Sequence, residues 1–88
     1  YVDNAVFWQG ECYYNMGKYS LAMVQYRTVI KKYGTRNKAP DAMFKLGLSY
    51  YKLGHKKSGR KMLAKVMELY PSSQVASRAS KVLESMRD

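Results

Sequence analysis

Eighty-eight residues make one domain at most, and a chain this short buries only a modest share of its surface, so its core must be efficient. Apolar residues at 47% and charged residues at 25% exclude a disordered chain, and no apolar run reaches the roughly 18 residues that span a bilayer. Two features stand out, nine tyrosines and a formal net charge of +10, while the lone Cys12 excludes an intramolecular disulfide.

In chain order, the apolar spacing predicts five helices. Ala5, Val6, Gln9, Gly10, Tyr13 and Met16 recur at three- and four-residue steps, which predicts a helix over 3–16 that breaks at Gly17. Leu21, Ala22, Val24, Tyr26, Val29, Ile30 and Tyr33 predict a second over 19–33, ended by Gly34. Pro40 suits the first turn of a third over 39–53, where its missing N–H leaves no bond unmade; Ala42, Met43, Leu46, Gly47, Tyr50 and Leu53 follow, closed by Gly54. Met62, Leu63, Val66, Met67 and Tyr70 mark a fourth over 56–70, stopped by Pro71. Ser72 or Ser73 can cap a fifth over 73–87, carrying Val75, Ala76, Ala79, Val82, Leu83 and Met86. No stretch sustains the alternation of a strand.

Sliding the chain against itself exposes a duplication. At an offset of 37, Ala5, Phe7, Gly10, Tyr13, Tyr14, Gly17, Val29 and Tyr33 fall on Ala42, Phe44, Gly47, Tyr50, Tyr51, Gly54, Val66 and Tyr70. These are eight identities in 31 ungapped positions, where chance leaves about two. Each copy is therefore a helical hairpin. The expected organisation is a repeat over 3–38, a second over 39–72 and a capping helix over 73–87, within an all-α solenoid of helical hairpins. A start at Tyr1, with neither Met nor a polar lead-in, is what a piece of a longer chain would show. Gly10 and Gly47 fall mid-helix, where glycine costs about 1 kcal/mol against alanine, so they predict close approach by a partner helix. Ala22 and Gly59 are the small residues expected opposite them, and Tyr13 and Tyr50 are expected to fill the space between hairpins.

These residues resemble the tetratricopeptide repeat: Gly10, Tyr13, Gly17, Ala22 and Tyr26 in one copy, and Leu46, Gly47, Tyr50, Gly54, Gly59, Leu63 and Pro71 in the next. Gln9 in place of leucine, Val29 and Val66 in place of alanine, and a step of 37 instead of 34 depart from that pattern. The longer step implies a longer connection, Gly34 through Ala39. The strings Gly10-Glu11-Cys12-Tyr13-Tyr14-Asn15-Met16-Gly17-Lys18-Tyr19, Lys38-Ala39-Pro40-Asp41-Ala42, Lys45-Leu46-Gly47-Leu48-Ser49-Tyr50 and Tyr70-Pro71-Ser72-Ser73 are similar to the C-terminal repeat domain of the Tol-Pal-associated YbgF/CpoB family. That resemblance implies a periplasmic scaffold that binds TolA and helps to couple envelope constriction to cell-wall synthesis during division. It also implies an upstream repeat and an N-terminal coiled coil through which the full chain forms homo-oligomers. Lipoproteins of outer-membrane protein insertion carry similar long repeats and supply the first alternative.

In this repeat class the first helices of successive hairpins line a concave groove. Carrying those positions over gives a protein-binding groove of Asn4, Phe7, Glu11, Tyr14 and Asn15, then Asp41, Phe44, Leu48, Tyr51 and Lys52, then Arg78 and Lys81. Aromatic residues there are expected to anchor an extended or helical peptide, or else simply to pack on neighbouring helices. Repeats that grip a C-terminal carboxylate place Lys and Asn where this chain has Phe7 and Glu11, and Glu11 would repel such a ligand.

Charge offers a second surface. From Lys18 to Lys65 there are thirteen Lys or Arg and one acid, Asp41. Lys52, Lys56, Lys57, Arg60, Lys61 and Lys65 cluster with His55. The readings are a solvated face, an acidic protein partner, or a module attracted to nucleic acid or anionic membrane. No motif of a nucleic-acid-binding fold accompanies the lysines, which weighs against that last class. An enzyme is not expected, nor a metal or cofactor. Cys12 and His55 fall in different repeats with no nucleophile–base pairing, the acids are few and scattered, and no phosphate-binding glycine loop is present. His55 is read as a surface loop residue and Cys12 as a small buried one.

Overall fold

The computed structural model describes residues 2–33 and 38–85, with the side chains of residues 5–32 and 38–85. The described residues form five helices: α1 (Val2–Asn15), α2 (Tyr19–Tyr33), α3 (Ala39–Lys52), α4 (Lys56–Leu69) and α5 (Gln74–Ser85). The expected helices match within one residue at each end, the usual fray, except that the expected end of the fifth at 87 lies outside the described residues. Gly34, most of the long connection, and Met86 lie outside the described residues.

Glycine sets both hairpin turns. Gly17 has φ 78° and Gly54 φ 87°, the left-handed region that glycine enters without a Cβ clash. The same capping pattern closes α1 and α3. Lys18 N–H donates to Tyr13 C=O at 2.8 Å and Gly17 N–H to Tyr14 C=O at 3.0 Å; His55 and Gly54 repeat this on Tyr50 and Tyr51 at 2.9 and 3.0 Å. Pro40 stands in the first turn of α3. Of the two candidate caps for α5, Ser73 is the one used: its Oγ accepts from Ala76 N–H at 3.2 Å.

The mid-helix glycines are explained by the neighbour each admits. A Cβ on Gly59 would lie 2.9 Å from the Gly47 carbonyl oxygen, so α3 and α4 meet backbone to backbone. In the first hairpin the device differs. A Cβ on Gly10 would lie 2.8 Å from a ring carbon of Tyr26, and the space belongs to the tyrosine.

No hairpin completes its own core. Phe7 of α1 and Ala22, Met23, Tyr26 and Val29 of α2 are closed over by Ala42 and Leu46 of α3. Met43 and Phe44 of α3 and Leu63 and Val66 of α4 are closed over by Val75, Ala76 and Ala79 of α5. Each hairpin buries its apolar face only when the next repeat's first helix docks, the condition that makes a solenoid cohere. Tyr50 bridges hairpins as expected, packing on the first cluster while its hydroxyl accepts a 2.5 Å hydrogen bond from Arg27 of α2. Tyr13 packs against the same cluster, to which both hairpins contribute.

Cys12 corrects an expectation: it is exposed. Its counterpart 37 residues on, Ser49, is fully buried, with its hydroxyl satisfied by Lys45 C=O at 2.8 Å. Ala5 and Ala42 show the same contrast. The reason is positional, since α3 has α2 packed beside it and no described helix covers the matching face of α1.

A candidate protein-binding groove

Alternate helices converge on one depression of about 360 Å³, lined by Phe7 and Glu11 of α1, Asp41, Phe44 and Lys45 of α3 with Lys38 at its N-cap, and Gln74, Val75 and Arg78 of α5. The three helices share this face because α2 and α4 occupy the other side of each hairpin. Within each helix the lining positions recur one turn apart, Glu11 four after Phe7, Phe44 and Lys45 three and four after Asp41, and Arg78 four and three after Gln74 and Val75, one stripe of each helix.

Phe7 is 4% and Phe44 2% exposed, so neither projects as an anchor. They form a floor, and cations roof it. Lys38 Nζ stands 5.3 Å from the Phe7 ring centroid and Arg78 Cζ 5.0 Å from that of Phe44. Lys45 Nζ lies 3.7 Å over Tyr14 and 3.7 Å from Glu11 Oε1. Such cation–ring contacts add about 0.5–1 kcal/mol where solvent reaches them, and they pre-position the charged heads. The surface offered to a ligand is therefore charged, its aromatics beneath it.

Glu11 knits the groove to the core. The buried Tyr26 hydroxyl donates to its carboxylate, which in turn faces Lys45. Burial raises the Tyr26 phenol far above its ordinary 10.0, and the hydrogen bond to Glu11 and its negative charge add to the shift. Tyr14 is raised as well, by burial first and then by the nearby Tyr19 and Glu11. With Lys45 engaged by Glu11, Lys38 and Arg78 are left: among the described residues no carboxylate pairs with either. Asp41 is likewise unpaired among them.

The expected groove residues divide. Phe7, Glu11, Asp41, Phe44 and Arg78 are brought together in the depression, and Tyr14 lies at its edge beneath Lys45. Leu48 and Tyr51 turn into the second core cluster. Asn15 and Lys52 are exposed at the ends of α1 and α3, and Lys81 is exposed on α5 beyond Arg78. The Asn4 side chain lies outside the described residues. Lys38, Lys45, Gln74 and Val75 were not anticipated. Helical spacing carried the signal, since Lys45 follows Asp41 by four and Gln74 precedes Arg78 by four on the same stripes.

A scaffold of stacked helical hairpins with a charged concave face is the class these features define. The chain belongs to the tetratricopeptide repeat family, whose model matches residues 4–35 and 41–73, one copy on each hairpin. Repeats of this family generally mediate protein–protein interaction and are typically scaffolds without catalytic activity. No curated protein matches the sequence. Among the described residues no helix is long and apolar enough to cross a membrane.

Proposed function

We propose that the concave groove receives a segment of a protein partner, and that the protein acts as a periplasmic scaffold of the Tol-Pal type, with TolA as its partner, during envelope constriction. The observation that carries the groove is its construction: α1, α3 and α5 each contribute to one depression, flanked by Lys38 and Arg78, with which no carboxylate among the described residues pairs. The finer reading rests on the sequence strings from Gly10 to Tyr19 and from Lys38 to Tyr50. Oligomerisation through an upstream coiled coil belongs to the same reading.

The test is calorimetric titration with the soluble part of TolA. Wild-type protein binds, and Lys38→Glu with Arg78→Glu weakens binding by about tenfold or more without loss of helicity, because both side chains lie on the surface of the groove. No heat with TolA would sink the Tol-Pal assignment. An unchanged affinity in the double variant would sink the groove.

A further inference from the structure

On the other side of the molecule, α2, α3 and α4 enclose a crevice of about 230 Å³ that the groove does not use. Its floor is apolar, with Ile30, Leu46 and Met62, and its rim is cationic, with Arg27 and Lys31 from α2 and Lys65 from α4. Arg27 is held at the edge by its hydrogen bond to Tyr50 and by lying 5.5 Å over that ring. Among the described residues no carboxylate pairs with Lys31 or Lys65. α2 has no acid at all, and α4 has only Glu68.

The repeat does not require this rim. At the 37-residue offset Arg27 and Lys31 become Ala64 and Glu68, so the cations are particular to one junction.

We propose that this crevice is a second docking site, for an acidic segment of a protein partner that seats one apolar side chain on the Ile30–Met62 floor between its carboxylates. Size favours a side chain over a cofactor, because small-molecule pockets begin near about 300 Å³. Shape favours a peptide over a membrane. A bilayer is entered by protruding apolar groups, whereas here the apolar atoms are recessed below the charges. Glu68, one turn beyond Lys65, limits the site by repelling an acidic chain that runs further along α4.

The probe is a capped peptide bearing one leucine flanked by glutamates, titrated into the 15N-labelled protein. Amide shifts are expected at Arg27, Ile30, Lys31, Met62 and Lys65, with Phe7, Asp41 and Arg78 unmoved. Replacing the leucine of the peptide by glutamine, or introducing Lys31→Glu with Lys65→Glu, weakens binding by about tenfold. Arg78→Glu leaves it unchanged, which separates this site from the groove. Absence of binding, shifts confined to the groove, or indifference to both changes would overturn the proposal. So would co-sedimentation with phosphatidylglycerol vesicles by a protein that ignores the peptide.

Discussion

The Tyr26 hydroxyl of α2 donates a hydrogen bond to the Glu11 carboxylate of α1, joining a fully buried core ring to the groove. The acceptor also faces Lys45 of α3, so one carboxylate ties together three helices of two repeats. Tyr26→Phe removes the donor while keeping the ring. Because Glu11 retains some access to water, the loss is about 1 kcal/mol, seen as a fall in melting temperature of roughly 4–8 °C.

The same pair sets an alkaline limit. Tyr26 and Tyr14 are raised in the fold, so above pH 10.0 the unfolded chain releases protons that the native one keeps. Their contribution to stability is therefore complete below pH 10.0 and is lost as pH rises beyond it. Urea midpoints measured on either side of that value should drop for the wild type and drop less for Tyr26→Phe.

Close approach of helices makes a counter-intuitive prediction for glycine. Gly59→Ala gains about 1 kcal/mol of helix propensity, yet its Cβ meets a backbone oxygen that cannot rotate away. The net result is destabilisation of about 1–3 kcal/mol, measurable by denaturant titration.

Groove variants need matching controls. Phe44→Ala empties a floor position that is 2% exposed and costs about 3–5 kcal/mol, which threatens the fold itself. Arg78→Glu, on the exposed roof, leaves the circular dichroism spectrum intact. Only the second reports on recognition.

Cys12 has a chemical test. Being exposed, it reacts with a maleimide to one equivalent in the native state, with helicity retained. A thiol that reacts only in denaturant would contradict the placement of α1.

Local sequence determined most of the fold. The three- and four-residue apolar rhythm, Gly17 and Gly54 at the turns, Pro40 and Ser73 at helix starts, and the 37-residue echo each act over a few residues or by repetition, so they are readable without coordinates. The carried-over groove positions reached Glu11, Asp41 and Arg78. They missed Lys38 and Lys45, whose role depends on which ring lies beneath each ammonium.

Burial was decided by tertiary structure alone. Phe7 and Phe44 became floor instead of anchors, Leu48 and Tyr51 turned to the second core, and Cys12 stayed exposed while Ser49 was buried. The two copies carry equivalent residues at equivalent helical positions. Whether such a residue is covered depends on the helix packed beside it, and that neighbour lies outside the span any local pattern can read.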